Sequence, residues 1–174
     1  MITFEDVYKW PNTRGKSSIS KADCNFLREL CIKYQPSKIL EFGTGSGKST
    51  WAMALSSQCK IHTIDRDDWY SAVAVDDKIH RYIMYSTQWL DTYNIDNFDF
   101  VFIDAFIPEH DYDKVLKRIA DSCSIVVHDY SNTIQKKGYR NVNSILKCLL
   151  SGDFLYDYNL TTGGECCAHL RVER

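Results

Sequence analysis

The chain lacks an excess of either charge: 21 Lys and Arg stand against 23 Asp and Glu, a formal net charge of −2. That balance gives no electrostatic reason for strong nucleic-acid binding, so nucleic acid is not an expected partner. No apolar run approaches the roughly 18 residues that a membrane helix needs, and no membrane association is expected. The opening stretch MITFEDVYKWPNTRGKSS has no basic segment followed by an apolar core, which argues against a signal peptide. The cysteines at 24, 31, 59, 123, 148, 166 and 167 are odd in number, irregular in spacing and without a Cys-x-x-C pair. They lack zinc-finger spacing and read as reduced, mostly buried thiols of a cytoplasmic protein. Cys166 and Cys167, as neighbours on a strand, are expected to point to opposite faces. No internal repeat, low-complexity tract or second-domain linker breaks the chain.

What is present suits one soluble domain. At 174 residues, 44% hydrophobic and 25% charged, the chain is long enough to bury a continuous core without staples. Residues 1–19 are polar and irregular and read as an arm or cover; residues 20–174 read as the domain. From Ser20, which can cap, Cys24, Leu27, Leu30, Cys31 and Tyr34 recur at helical spacing up to Pro36. Short apolar runs follow at Lys38–Phe42, Lys60–Asp65, Arg81–Tyr85, Phe98–Asp104 and Ser124–Asp129. Between them, Gly47–Ser57, Trp69–Ile79, Thr87–Tyr93 and Asp111–Asp121 read as helices, as does Asn141–Leu150 later. Phe154–Leu160 and Glu165–Val172 read as strands joined by Thr161-Thr-Gly-Gly164, which is hairpin chemistry. The pattern predicts an α/β, Rossmann-like sheet of seven strands, mostly parallel, with helices on both faces and a C-terminal antiparallel hairpin.

The densest chemical signal is Ile39-Leu-Glu-Phe-Gly-Thr-Gly-Ser-Gly-Lys-Ser-Thr50, running from strand through turn into helix. Glycines 43, 45 and 47 let backbone N–H groups approach a ligand. A phosphate-binding P-loop would need glycine where Phe42 stands, and the dinucleotide fingerprint would need glycine where Lys48 stands. Asp65 ends the second strand, where a carboxylate can accept both ribose hydroxyls of a nucleoside. It selects adenosine-type ligands without choosing between NAD and S-adenosylmethionine (SAM).

The acidic-x-Gly-x-Gly-x-Gly pattern from Glu41 resembles the first motif of class I SAM-dependent methyltransferases, and the likeness covers the chain from about residue 20. Within that class the chain is similar to small-molecule O-methyltransferases of the catechol, caffeoyl-CoA and macrolide-sugar type. Phe98-Asp-Phe-Val-Phe-Ile-Asp-Ala105 is similar to their fourth strand and Ser124-Ile-Val-Val-His-Asp-Tyr130 to their fifth; Ser86-Thr-Gln88 resembles the segment lining the adenine pocket. The resemblance implies SAM as cofactor, held by Glu41, Gly43, Thr44, Gly45, Gly47, Asp65, Arg66, Ser86, Thr87, Gln88 and Asp104. It also implies a divalent cation, Mg²⁺ or another, on Asp104, His128 and Asp129, and a small hydroxylated acceptor as partner. A homo-oligomer is compatible with all of this.

The chain departs from the family at three positions. Tyr130 stands where catechol-type enzymes have Asn, His128 where macrolide-sugar enzymes have an acid, and Ile107 where catechol enzymes carry a catalytic lysine. Imidazole suits Zn²⁺, Mn²⁺ or Fe²⁺ better than Mg²⁺. His110 is the expected substitute base, with Glu109 second. Tyr130, Tyr112, Trp10 and Tyr8 are candidate walls of an acceptor pocket. Two alternatives stay open: a metal-independent methyltransferase acting on nitrogen or on a macromolecule, and an inactive SAM-binding module of the same fold.

Overall fold

The structure, a computed structural model, describes residues 3–9, 19–68, 76–130, 137–151 and 157–174, with side chains omitted at 137–139. The helix expected around Trp69–Ile79 lies mostly outside these residues, as do Trp10 and the start of the strand expected from Phe154. The described elements are α1 (Phe4–Tyr8), α2 (Lys21–Tyr34), β1 (Lys38–Phe42), α3 (Lys48–Ala54), β2 (Lys60–Asp65), β3 (Ile79–Ile83), α4 (Ser86–Thr92), β4 (Phe98–Ile103), α5 (Tyr112–Leu116), β5 (Ile119–Val127), α6 (Lys137–Leu150), β6 (Asp157–Gly163) and β7 (Cys167–Glu173).

One seven-stranded sheet carries the order β3-β2-β1-β4-β5-β7-β6. The first five strands pair in parallel, while β7 runs antiparallel to both β5 and β6. Successive residues of β1 serve opposite faces, as strand geometry requires. Ile39 joins a core with Ile61, Phe100, Phe102 and the inner faces of α1, α2 and α3, whereas Leu40 and Phe42 join one with Val101, Ile103 and residues of α4, α5 and α6. Burial on both faces explains why β4 and β5 are continuous apolar runs. The chain turns back between β1 and β4, the switch point at which open α/β sheets hold ligands beyond their carboxyl ends.

Local chemistry sets the element ends. The Ser20 hydroxyl accepts the Asp23 N–H at 3.1 Å, and α2 stops at Gln35, left-handed at φ 47°, before Pro36. β3 falls two residues earlier than the expected Arg81–Tyr85, because it ends level with β2, where Asp65 pairs with Ile83. The helix expected over Asp111–Asp121 is short. Arg118 gives its carbonyl to the Phe98 N–H at 3.0 Å, and its guanidinium binds the carbonyls of Leu90 and Tyr93, drawing the chain into the sheet. The hairpin turn is Gly164–Cys166 rather than Thr161–Gly164, since pairing runs on to Gly163 and Cys167. Cys166 therefore lies in the turn, not on a strand, and its thiol and that of Cys167 both approach Asp23. All seven cysteines are free thiols.

Candidate active site

A cavity of about 500 Å³ opens at the carboxyl ends of β1, β2, β4 and β5. The turn after β1 forms its floor. Gly43 donates to the Ile64 carbonyl at 2.8 Å, and the Asp104 N–H donates to the Phe42 carbonyl at 2.8 Å, so this turn is stitched to both neighbouring strands. Gly43 has φ +101°, and a Cβ there would stand 2.9 Å from the Asp104 carbonyl carbon and oxygen. Only glycine meets both demands.

Asp65 organises the turn from the end of β2. Its Oδ2 accepts the Gly45 N–H at 2.9 Å and its Oδ1 accepts the Asp67 N–H at 3.1 Å. Each carboxylate oxygen retains acceptor capacity, so the same group that fixes the glycine turn can receive a vicinal diol from the cavity. Glu41 works beneath it. Its buried carboxylate accepts the Ser49 hydroxyl at 2.6 Å and the Thr50 hydroxyl at 2.5 Å, tying β1 to α3. Burial, partly offset by those hydrogen bonds, pushes its pKa up to about 7.

Of the residues expected around the donor, Gly43, Thr44, Gly45, Asp65, Arg66, Ser86 and Asp104 line the cavity, whereas Glu41, Gly47, Thr87 and Gln88 do not. Glu41 and Gly47 build the turn from below. Gln88 is exposed on α4, whose buried face carries Trp89 and Leu90. Ile19, Lys48, Tyr85 and Phe106 also line the cavity, and sequence reasoning did not find them. Tyr85 and Phe106 are 63% and 68% exposed, an aromatic rim at the mouth. Lys48 is buried, its ammonium 5.0 Å from the ring centroid of Tyr8 on α1.

The opposite wall is charged. His128, the residue after β5, lies with Nδ1 3.1 Å from Asp104 Oδ1 and 3.6 Å from Asp129 Oδ1, and with Nε2 3.4 Å from Asp23 Oδ2. Burial alone disfavours a charged imidazole. The hydrogen bonds to Asp104 and Asp23, with the charge of Asp129 nearby, outweigh it and push the His128 pKa up to about 10. Asp129 has φ 57°, left-handed for a non-glycine residue, and Tyr130 N–H donates to the Cys166 carbonyl at 2.8 Å. The strand end is thereby bent over the β6–β7 turn. Asp104, His128 and Asp129 each aim one donor atom into a common space, with all three atoms within 4.8 Å of one another. Asp104 and Asp129 keep 25% and 47% side-chain exposure, leaving room for water on a cation. The two carboxylates, and the imidazole nitrogen once its proton is displaced, fit a divalent ion.

Glu109 and His110 stand elsewhere. They form a 3-10 turn after Pro108, with Ile107 turned into the core, and neither lines the cavity. His110 is 75% exposed beside Asp111, and Glu109 pairs with Lys147 of α6. Tyr112 is fully buried in the core rather than in a pocket wall.

No protein-family model matches the chain, and no curated protein matches it. Solved structures do. An O-methyltransferase from Bacillus cereus in complex with SAH superposes with a TM-score of 0.71 at 19% identity, covering 98% of this chain and 90% of that one. The O-methyltransferase TomG from Streptomyces achromogenes, involved in tomaymycin synthesis and in complex with SAM, gives 0.69 at 20% identity over 90% and 81%. The fold is that of the class I SAM-dependent O-methyltransferases. The tRNA (m1A58) methyltransferase TrmI from Aquifex aeolicus also matches, with a TM-score of 0.66 at 14% identity over 99% of this chain and 77% of that one. The methyltransferase fold is thus shared by proteins whose acceptors are unalike. Among the described residues, no helix is long and apolar enough to cross a membrane.

Proposed function

We propose that this chain is a SAM-dependent methyltransferase that transfers the methyl group to a hydroxyl of a small molecule, assisted by a divalent cation. The observation that carries the reading is the cavity itself: a glycine turn braced by Asp65 on one side and Asp104 on the other, at the switch point of a methyltransferase sheet. In this reading Asp65 accepts the ribose hydroxyls, Thr44 and Gly45 lie against the amino-acid portion of the donor, and Ser86 and Tyr85 border its base. The sulfonium is already activated, so the protein's work is alignment, exclusion of water and preparation of the acceptor oxygen. Asp104 and Asp129, with His128 Nδ1, would hold the cation, which lowers the pKa of a bound hydroxyl. The rim of Tyr85 and Phe106 suits a flat or apolar acceptor face. Ile19 would border the donor, and residues 20–174 would act as a single domain.

A metal-independent reaction on nitrogen or on a macromolecule is the second reading, favoured by one observation: His128 Nδ1, 3.1 Å from Asp104 and 3.6 Å from Asp129, already stands between the two carboxylates as a partner. Turnover of SAM with a panel of phenols, catechols and sugars, with and without EDTA, separates the two. Metal-stimulated methylation of a hydroxyl, lost in Asp129→Ala, is the expected result. Methylation indifferent to EDTA and to Asp129→Ala would support the second reading. With Ile107 at the position of the family's lysine, and Glu109 and His110 outside the cavity, an inactive SAM-binding module is the third; it predicts donor binding without turnover on any acceptor.

A further inference from the structure

His128 faces two ways, and the site described above uses only its Nδ1 side. On the Nε2 side lie Asp23 Oδ2 at 3.4 Å and the Cys166 sulfur at 3.4 Å, and that sulfur is 3.5 Å from Asp23 Oδ2. Three donors of three kinds, from α2, the end of β5 and the β6–β7 turn, form a nearly equilateral triangle. The separations are informative. A charge-assisted hydrogen bond between imidazole and carboxylate is about 2.7–2.9 Å long, well short of this N–O distance. Bond lengths of about 2.3 Å to sulfur, 2.0–2.1 Å to nitrogen and 2.0–2.2 Å to oxygen around a tetrahedral zinc put N···O near 3.4 Å and the two edges to sulfur near 3.6 Å. The observed triangle matches those edges within about 0.2 Å.

The surroundings are those of a supported ligand set. Asp23 is fully buried at the start of α2, and its other oxygen accepts the backbone N–H groups of Glu165 at 2.8 Å and Cys166 at 3.0 Å. Gly164 closes on it so tightly that a Cβ would come within 2.3 Å of Asp23 Oδ1. The remaining ring nitrogen of His128 faces Asp104, the carboxylate–histidine pairing that orients imidazole ligands in zinc sites.

We infer that Asp23, His128 Nε2 and Cys166 form a binding site for a thiophilic divalent cation, zinc above all, behind the donor cavity. The set of one sulfur, one nitrogen and one oxygen selects Zn²⁺ over Mg²⁺. Binding converts the Cys166 thiol to a metal-bound thiolate and releases its proton, with any proton on Nε2, to water; no electron moves. The ion would staple the hairpin turn to the end of β5 and the start of α2. It would also fix the Nδ1–H of His128 toward Asp104, so that with zinc bound His128 no longer ligates in the cavity and a cation there rests on Asp104 and Asp129 alone. The inference is independent of methyl transfer, and its test uses no methyl donor.

The test is titration of the full-length, reduced, metal-stripped chain with Co²⁺, followed by displacement with Zn²⁺. An intense near-ultraviolet thiolate-to-cobalt charge-transfer band that saturates at one cobalt per chain is expected, abolished by stoichiometric zinc. Cys166→Ser should remove the band and weaken zinc binding by at least about 100-fold, beyond what loss of an outer-shell partner causes; Cys148→Ser should retain both. Cobalt bound without the band would overturn the inference, as would no cobalt bound at micromolar concentration, which would leave a hydrogen-bonded cluster only. If Cys166→Ser does not fold, protection of Cys166 from alkylation by stoichiometric zinc in the unmutated chain, read by peptide mass mapping against the other six free thiols, supports the inference, and unprotected Cys166 overturns it.

Discussion

The two walls of the cavity are built by different means. On the β1–β2 side a ligand-facing backbone turn is held by two carboxylates: Asp65 grips Gly45 from the cavity side, Gly43 bonds to Ile64, and Glu41 anchors Ser49 and Thr50 below. On the β4–β5 side they are side chains whose positions depend on distant segments, with His128 suspended between Asp104 and Asp129 at one nitrogen and Asp23 and Cys166 at the other. A wall of backbone reads a feature common to all adenosyl donors, whereas a wall of interlocked side chains can be retuned for cation and acceptor. The first depends on backbone conformation at the glycines; the second depends on the charges gathered around His128.

The sharpest way to break this comparison is Gly43→Ala. With φ +101° and a Cβ 2.9 Å from the Asp104 backbone, it should disrupt both walls together, lowering stability by about 2–4 kcal/mol and abolishing binding of S-adenosylhomocysteine (SAH) in calorimetry. Asp65→Ala should act on one wall. Loss of a charged hydrogen-bonding partner is expected to weaken SAH binding by about 10- to 100-fold, with the chain still folded by circular dichroism.

The base of the first wall carries a pH signature. The Glu41 pKa is raised to about 7 by burial, so between its ordinary value and 7 the folded state holds more protons than the unfolded one. The contribution of Glu41 to stability must then fall as pH rises through that interval and level off above it. Urea denaturation of Glu41→Gln should show a flatter profile from pH 5 to 7, by up to the order of 3 kcal/mol. A slope unchanged in the variant would move its origin to another group. The smallest effect is expected at His110, exposed and outside the cavity. His110→Ala should keep turnover within about threefold, and a loss of two orders of magnitude would restore it as a base acting after closure.

The difference between the walls also explains what the sequence made legible. Gly43, Gly45 and Asp65 lie within one strand–turn–helix–strand unit, so local spacing reports their geometry. The alternating runs likewise disclosed the sheet and its closing hairpin. Nothing local in the sequence singles out Asp23, because its partners lie as far as 144 positions along the chain. Cys166 was misplaced on a strand because pairing continues through Gly163 and moves the turn onto it. His110 follows Asp104 closely in sequence, but after Pro108 and the buried Ile107 it stands outward in a 3-10 turn. Non-local side-chain clusters leave no period in a sequence; backbone turns do.

The central claim, that the glycine turn and Asp65 form a SAM pocket, is tested most directly by calorimetry of the unmutated chain with SAH, NAD and ATP in parallel. The account predicts saturable one-to-one binding of SAH, weakened in Asp65→Ala, and no heat of binding for NAD or ATP. Binding of NAD or ATP with none of SAH would contradict it.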